Sequence, residues 1–412
     1  MSTDKFEGSV AAGATHPSNL LTDEEVEAQR AITPGTKHRV HFNHAGSSLT
    51  PQPVIDAEAA YLDLEHSIGG YEAAAASTET EEQVYASIAT MIGAKPSEIA
   101  RAEHATFAWC SGFWAMPMEA GQRILTAEAE YAANAVSYIK AKERFGVTIE
   151  VIPSDPSGQL DLDALDATIG PDVAMVSITH IPTNGGLINP AVEVGAIAKA
   201  AGVPYLLDAC QSVGQLQIDV DEIGCDLLSV TGRKYLRGPR GTGFLYARES
   251  MLPRLDTDHP DHHSAHWVES ERYELLPNAR RFEYWEYNHA AWIGLGAAVD
   301  HALSIGLDRI EATVQTRADY LRESLAANGI TCMDLGDNRS GIVTSVVPGI
   351  DAVDAKSALT ERGINTSVSA PDSTLWDALR RDLPPMLRTS VHYITTNNEI
   401  DQLVAALVDI QP

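Results

Sequence analysis

The fold is decided by one stretch of the chain, residues 206–246, which reads LLDACQSVGQLQIDVDEIGCDLLSVTGRKYLRGPRGTGFLY. Residues 204–207 and 227–230 are short apolar runs typical of buried strands. Asp208 ends the first strand and Lys234 follows the second, so both lie at the edge of a parallel sheet where ligands bind. Considered separately, Asp208 is typical of a helix cap and Lys234 of a solvated surface charge. Their positions after two strands favour a shared binding site.

The residues around Lys234 indicate what this site holds. A lysine among small residues at a strand end is partly desolvated, which lowers its pKa and prepares its amine to form an imine. Thr231 and Arg233 offer a hydroxyl and a guanidinium, both suited to a phosphate group. The Gly-rich turn at residues 237–243 lets the backbone approach a ligand closely. Asp208, in turn, can hold a positive charge such as a protonated pyridine nitrogen.

The rest of the chain alternates short apolar strands with longer amphipathic helices. Further strands are predicted at residues 123–126, 148–152, 174–178 and 244–246, and helices at residues 56–66, 133–144 and 191–200. This alternation predicts an α/β domain with a mostly parallel sheet. After it, helices are predicted at residues 307–328, 351–362 and 397–407, with short strands near residue 330 and at residues 342–347. We therefore expect an N-terminal arm (residues 1–40, with one helix at 22–31), a large domain (residues 41–304) and a small α+β domain (residues 305–412).

Composition narrows the class of protein. The chain has 412 residues and a formal net charge of −28. Nucleic-acid binding is not expected, because neutralising phosphates requires clustered Lys and Arg. No run of about eighteen apolar residues predicts a membrane span, and the N-terminus lacks the pattern of a signal peptide. The four cysteines form no CxxC pair, which fits a reducing compartment. A cytoplasmic enzyme with a small-molecule substrate is the expectation.

The central stretch resembles the core motif of class V aminotransferases, the family of pyridoxal-phosphate (PLP) enzymes that includes cysteine desulfurases. Their motif is a strand ending in Asp, then x-x-Gln, and later Ser/Thr-Gly-x-Lys with a Gly-rich turn. The resemblance implies that Lys234 carries PLP as a Schiff base, Asp208 keeps the pyridine nitrogen protonated and Gln211 binds the phenolate oxygen. It also implies PLP fold type I, with a mostly parallel seven-stranded sheet, a small C-terminal domain and a homodimer.

Two other segments are similar to cofactor-binding segments of this family. Residues 103–106 precede a predicted helix, where free N–H groups and a hydroxyl can bind phosphate. Ala105 and Thr106 are therefore phosphate candidates, and Thr106 is also a candidate helix cap. Residues 178–186 follow a strand and look like the family loop that contacts the cofactor ring, which makes Thr183 and Asn184 candidate contacts.

Four segments are expected to lie near the substrate or the second subunit. Arg388, in the run PMLRTSV, matches the family's arginine for the substrate α-carboxylate, which a planar guanidinium binds through two hydrogen bonds. His44 lies on a loop that faces the substrate in relatives, although a structural histidine fits equally well. Asn288 follows a segment that enters the neighbouring subunit's site in relatives and is a candidate cofactor contact. The His-rich run at 258–266 is expected to be an exposed loop near the subunit boundary, with no metal site.

Two departures from the family limit the prediction of the reaction. Desulfurases stack a His on the pyridine ring, whereas this chain has Tyr131 at that position. Tyr131, or else Trp109, is therefore the candidate for stacking, and a core Tyr131 with no ligand role fits about as well. Desulfurases also carry a persulfide-forming Cys on the loop before the substrate arginine, and residues 366–373 contain none. Cys332 lies earlier, in a predicted strand.

The resemblance implies a reaction that begins with an amino acid displacing Lys234 to form an external aldimine, after which Lys234 removes the Cα proton. We expect a class V aminotransferase acting on a small amino acid. A carbon–sulfur lyase acting by β-elimination on a cysteine derivative is the alternative, followed by an amino-acid epimerase. A non-enzymatic regulator with the same fold is disfavoured because Lys234, Asp208 and Gln211 are all present.

Overall fold

The computed structural model of the protein describes residues 19–412. Its helices are α1 (Asp23–Ala31), α2 (Gln52–Ile68), α3 (Gly70–Ala76), α4 (Thr78–Ile92), α5 (Ala105–Ala115), α6 (Ala132–Phe145), α7 (Leu162–Thr168), α8 (Ala191–Ala201), α9 (Val220–Ile223), α10 (His289–Ile305), α11 (Leu307–Ala327), α12 (Ala352–Glu361), α13 (Leu375–Arg381) and α14 (Asn397–Asp409). Its strands are β1 (Val40–His41), β2 (Ile99–Ala102), β3 (Arg123–Ala127), β4 (Thr148–Ile152), β5 (Val173–Thr179), β6 (Tyr205–Asp208), β7 (Leu227–Thr231), β8 (Gly243–Ala247), β9 (Ala265–Glu269), β10 (Arg272–Leu275), β11 (Thr331–Cys332), β12 (Ile342–Val346), β13 (Ile364–Asn365), β14 (Ser367–Ser369) and β15 (Met386–Ser390).

Seven strands form the large sheet, in the order β2-β8-β7-β6-β5-β3-β4. All of them run parallel except β8, which pairs antiparallel with both β2 and β7. Strands β5, β6, β7 and β8 are buried at every residue, because helices cover both faces of a parallel sheet. The prediction of a mostly parallel seven-stranded sheet is confirmed, and the sequence did not predict the reversed direction of β8.

The C-terminal part of the chain builds a second, antiparallel sheet in the order β11-β12-β15-β14. Helices α11 and α12 pack against it, and α14 packs against these two helices. The described part of the N-terminal arm docks here too, since Arg30 on α1 pairs with Glu399 at 2.7 Å and Glu25 pairs with Arg309 at 2.6 Å. The predicted α1 agrees with the structure, and Thr22 caps it in a capping box with Glu25. Residues 1–18 of the predicted arm lie outside the described part, and the two boundaries between the arm, the large domain and the small domain stay predictions.

The structure places the predicted helices and strands within a few residues of their predicted bounds, apart from the His-rich run. Residues 265 and 266 belong to β9, which forms a two-stranded hairpin with β10, so the run is not entirely a loop. Within residues 19–412, no single helix is long and apolar enough to cross a membrane, and only α10 and α11 taken together reach that length, meeting at 82°.

A buried ion pair fastens α11 to the segment between β11 and β12 of the small sheet. Arg322 on α11 contacts Asp334 at 2.7 Å and also donates to the carbonyl of Ser340 at 2.8 Å. Both side chains are almost completely buried. Gly186 passes so close that a Cβ there would lie 2.4 Å from an Arg322 nitrogen, which explains a glycine at this position.

We expect Arg322→Met to lower the free energy of unfolding by about 3–5 kcal/mol, because it leaves the Asp334 carboxylate buried without its partner. The matched control is Arg362→Met, which removes a pair with Asp409 whose side chains are 39% and 72% exposed. The control should cost no more than about 1 kcal/mol. Urea unfolding measures both, and equal losses in the two variants would contradict the prediction.

Candidate active site

The carboxyl ends of β6 and β7 bring the central candidates together. Asp208 ends β6 with its side chain buried, and Asn134 donates to its Oδ2 at 3.0 Å. The backbone N–H of Cys210 donates to its Oδ1 at 3.0 Å, so each carboxylate oxygen has a fixed contact. Asp208 is therefore an oriented, buried negative charge at the edge where ligands bind in parallel sheets.

The Lys234 amine is also buried, and it lies close enough to Asp208 to interact with its charge. Burial lowers the pKa of Lys234, and the nearby guanidiniums of Arg233 and Arg388 lower it further, against the opposite effects of Cys210 and Asp208. A lysine with a lowered pKa is more often a free amine, which is the form that attacks a carbonyl.

Tyr131 borders the same group of charges. Asp208, Cys210, Arg233 and Arg388 act electrostatically on its phenol, and the residue is 38% exposed. An accessible aromatic ring at this position fits the predicted stacking role. Trp109, the alternative candidate, is instead buried in the core against Phe113, with ring centroids 4.6 Å apart.

Gln211 has an acceptor that nothing in the described chain satisfies. Its Nε2 donates to the carbonyl of Ala45 at 3.1 Å, while its Oε1 is buried with no hydrogen-bond partner among residues 19–412. A buried polar atom without a hydrogen bond destabilises the fold unless a ligand or a water molecule supplies that hydrogen bond. The loop at residues 43–48 covers this position, and Arg233 donates to its Gly46 carbonyl.

The phosphate candidates lie on either side of Gly243. This glycine pairs with Thr231 across β7 and with Ala102 across β2. A Cβ on it would lie 3.3 Å from the backbone nitrogen of Ala105, so the first turn of α5 approaches the end of β7 closely. Ala105 is buried and Thr106 exposed at this helix start. The cap of α5 is not Thr106, as one interpretation had it, but His104, whose Nδ1 accepts from the Phe107 N–H at 3.0 Å.

Arg388 presents an incompletely paired guanidinium. It donates to the Thr183 hydroxyl at 2.5 Å and to Asn43 Oδ1 at 3.4 Å, and its Nε is buried without a partner in the described chain. Burial lowers its pKa, and no carboxylate among residues 19–412 lies within ion-pair distance of it. A buried guanidinium without an acid fits a carboxylate ligand.

The remaining candidates are placed as follows. The Asn184 side chain donates to Asp377 at 2.8 Å, on the small-domain side, while Thr183 meets Arg388. His44 is buried between His41 and His392, at ring-centroid distances of 4.7 and 4.9 Å, and burial lowers its pKa well below the usual value.

Asn288 caps α10 by accepting from the Ala291 N–H at 2.9 Å. It lines a surface pocket together with Thr242. The predicted cofactor contact of Asn288 stays a prediction. So does the predicted contact of His44 with the substrate.

Sequence reasoning missed two polar residues beside Asp208. Glu130 is only 1% exposed and accepts from the Asn134 amide at 2.9 Å. Asn134 contacts Asp208 with the same Nδ2, as stated above. The only signal in the sequence was a Glu and an Asn four residues apart, near the start of a predicted helix. It gave no indication of a contact with Asp208, which lies 74 residues after Asn134 in the chain.

None of the four thiols is activated. Burial raises the pKa of Cys110 and of Cys210, that of Cys225 to about 12 and that of Cys332 to about 11. A thiol with a raised pKa stays protonated at neutral pH and is a poor nucleophile. Within the described residues, no three His, Cys, Asp or Glu side chains are grouped so that they could hold a metal ion.

The residues at this sheet edge fit PLP. The buried Asp208 carboxylate and the lysine with a lowered pKa match the ring nitrogen and the aldehyde of that cofactor. Gly232 packs tightly near Lys234, since a Cβ there would lie 2.8 Å from the Leu295 side chain. This fold and this set of residues define a PLP enzyme of fold type I.

Comparison with known proteins identifies the family. The profile described as "Aminotransferase class-V" matches residues 40–403. A relative named "Probable cysteine desulfurase" from Xylella fastidiosa (strain 9a5c) is 29% identical, over 91% of this chain and 91% of its own. The chain belongs to the class V aminotransferase family, which confirms the predictions of PLP as cofactor and of an enzyme of this class.

Two solved structures have the same fold. The apo structure of a cysteine desulfurase from Thermococcus onnurineus NA1 superimposes with a TM-score of 0.85 at 24% identity, covering 93% of this chain and 97% of its own. The cystine C–S lyase C-DES, in complex with its product cysteine persulfide, has a TM-score of 0.84 at 22% identity, covering 92% and 100%.

Proposed function

We propose that this class V enzyme is a carbon–sulfur lyase that eliminates sulfur from cysteine or a cysteine derivative. The observation that carries the proposal is the state of the thiols: residues 366–373 contain none, and burial raises the pKa of every cysteine in the chain. Relatives named for cysteine desulfurization and a neighbour named as a cystine C–S lyase support a sulfur amino acid as substrate. They favour elimination over the transamination that the sequence alone predicted.

Three residues position the substrate and the cofactor in this proposal. Arg388 binds the α-carboxylate, which supplies the acid that its buried guanidinium lacks. Asp208 pairs with the pyridine nitrogen and Gln211 contacts the ring oxygen. PLP, when bound, supplies an electron sink that stabilises negative charge at Cα. Thr231, Arg233, Ala105 and Thr106 are proposed to hold its phosphate and Tyr131 to stack on its ring.

Lys234 moves the proton. Burial keeps its amine unprotonated over more of the pH range than that of an exposed lysine, so it can take the proton from Cα. The Cβ–S bond then breaks and its electron pair leaves with sulfur as a thiolate. The released enamine reacts with water to give pyruvate and ammonia. The balanced reaction converts one cysteine derivative and one water into one thiol, one pyruvate and one ammonia.

The raised pKa values of the four cysteine thiols indicate where the sulfur goes. A desulfurase transfers sulfur to an enzyme cysteine, which requires a nucleophilic thiolate near the substrate. Cys210 is beside Asp208, but burial and that carboxylate raise its pKa. Sulfur therefore leaves this enzyme as a free product.

The oligomeric state, the binding partners and the cellular location of the protein are also proposals. We propose a homodimer in which Asn288 approaches the second subunit's site. Large exposed side chains in this region, Trp267 at 80%, Tyr273 at 53% and Trp285 at 49% exposed, support a covering partner. The net charge of −28 supports the absence of nucleic-acid binding, and the protein is proposed to act in the cytoplasm.

The test is a product analysis. PLP-loaded enzyme is incubated with cystine, S-benzylcysteine and alanine, and thiol, pyruvate, ammonia and pyridoxamine phosphate are measured. We expect equal pyruvate and ammonia from the sulfur substrates without any 2-oxo acid acceptor, and none from alanine. Stoichiometric pyridoxamine phosphate without pyruvate from the sulfur substrates, or pyruvate matched by pyridoxamine phosphate from alanine, would overturn the proposal in favour of transamination. Single Cys→Ala variants at Cys110, Cys210, Cys225 and Cys332 should all retain elimination activity, whereas a desulfurase would lose turnover in one of them.

A further inference from the structure

Glu130 is a buried carboxylate that the proposed reaction does not use. It lies just after β3, in front of α6, at the same edge of the sheet as Asp208. Its Oε1 accepts from the Tyr131 backbone N–H at 2.7 Å, the Asn134 amide at 2.9 Å and the Thr179 hydroxyl. Its Oε2 accepts from the hydroxyls of Thr126 at 2.9 Å and Tyr138 at 3.2 Å.

This pattern of contacts suits the ionised form of Glu130. Each of these neighbours donates a hydrogen bond, and an ionised carboxylate can only accept hydrogen bonds. Burial raises the pKa of Glu130 and the charge of Asp208 raises it further, while the donors from Thr179, Asn134 and Tyr131 lower it. Five donors compensate much of the cost of burying this charge.

Asn134 joins the two carboxylates. Its Nδ2 carries two hydrogens, one for Glu130 Oε1 at 2.9 Å and one for Asp208 Oδ2 at 3.0 Å. The amide is held at both ends, so it cannot rotate without losing a charge-assisted hydrogen bond. The second oxygen of Asp208 is fixed by the Cys210 backbone. The direction in which Asp208 points therefore depends on Glu130.

We propose that Glu130 is a positioning residue that acts through Asn134: it orients the Asp208 carboxylate toward the pyridine nitrogen of PLP and adds a second buried negative charge behind it. That charge favours the protonated pyridine, because a nearby anion stabilises a cation in a medium of low dielectric constant. Besides Glu130, the ionisable groups that Asp208 influences are Tyr131, Cys210 and Lys234, and Arg233 and Arg388 in turn lie near Tyr131 and Lys234. The inference rests on the proposed role of Asp208 and does not depend on whether the enzyme eliminates or transaminates.

The experiment measures cofactor binding, not turnover. Full-length apo-protein is titrated with PLP, and the visible absorption band of the bound cofactor is followed from pH 5 to 10. We expect Glu130→Gln to weaken PLP binding on the order of 10-fold, the effect typical of removing an outer hydrogen bond to a functional group. The pH midpoint of the visible band should fall, because removing the anion destabilises the protonated cofactor. Asn134→Ala should weaken PLP binding as well, because Asp208 loses its orientation, and should lower the pH midpoint less, because the Glu130 charge remains.

The matched control is Tyr138→Phe. It removes one donor to Oε2 of the same carboxylate, leaves the charge and the Asn134 bridge in place, and should lower the melting temperature while both cofactor readouts stay near wild type. If Glu130→Gln lowers only the melting temperature, as Tyr138→Phe does, the inference is overturned. If Glu130→Gln does not fold, Asn134→Ala decides by the same criteria, since it leaves Glu130 with its other donors.

A third variant separates this inference from the role of Asp208. Asp208→Asn should weaken PLP binding more than Glu130→Gln does. An Asp208→Asn protein with unchanged binding would refute the role of Asp208 and the inference with it. Weakened binding in Asp208→Asn combined with unchanged binding in Glu130→Gln would refute the inference alone.

Discussion

Lys234→Ala is expected to reduce turnover of any substrate by about 10⁴-fold, the upper end of what a general base contributes. The variant loses the amine that holds the cofactor covalently and the base that takes the Cα proton. Its PLP should lack the visible band that borohydride removes from the wild-type enzyme. Absorption spectra before and after reduction, together with pyruvate release, measure both effects.

Lys199→Ala is the matched control, because Lys199 is an exposed lysine on α8. It should keep the visible band and full activity. A Lys234→Ala protein that still forms a band reducible by borohydride would place the covalent attachment on another lysine and would contradict the assignment.

The lowered pKa of Lys234 adds a pH dependence to the same prediction. Because only the free amine attacks the aldehyde, covalent loading of wild-type apo-protein should become faster as pH rises and level off below pH 10.5, the usual lysine value. Stopped-flow absorption gives this rate. A rate that still rises through pH 10.5 would show that the amine is not desolvated in solution.

Much of the fold could be predicted because its signals are local. Strands β6 and β7 are short apolar runs, and Asp208 and Lys234 follow them at the edge that binds ligands in parallel sheets. The direction of β8 could not be predicted in this way. It returns through the Gly-rich turn and pairs with β2, a strand far earlier in the chain, and apolar periodicity carries no information about direction.

The polar contacts behind the site were harder to predict, because they join distant segments. Asn134 reaches Asp208 across 74 residues, and Thr183 meets Arg388 across 205. The His104 cap was also missed, since Ser, Thr, Asp and Asn are the usual caps and the neighbouring Thr106 was the obvious choice. The residue types in the sequence thus identified the groups that react. The groups that orient them could not be identified in this way, because only the tertiary structure brings them next to the reacting groups.

Arg388→Lys is expected to lower kcat/KM for a cysteine derivative by about 100-fold or more. A lysine cannot donate the two parallel hydrogen bonds that a guanidinium gives a carboxylate, and an imperfectly paired buried charge costs about 2–5 kcal/mol. Most of the loss should appear in KM, because Arg388 binds the substrate carboxylate and does not contact the bonds that break. Steady-state kinetics of wild type and variant measure the split. Arg144→Lys, an exposed arginine on α6, should leave both constants unchanged.

A substrate without the carboxylate separates this role from a structural one. S-benzylcysteamine keeps the amine and the sulfur of S-benzylcysteine but offers Arg388 nothing to bind. If Arg388 recognises the carboxylate, wild type and Arg388→Lys should bind the cysteamine equally weakly, so the difference between the two proteins disappears with this ligand. Competition against S-benzylcysteine turnover gives both inhibition constants. Should the variant lose affinity for the cysteamine as strongly as for the amino acid, the substitution has disturbed the loop at Thr183 and Asn43, and carboxylate recognition must be assigned elsewhere.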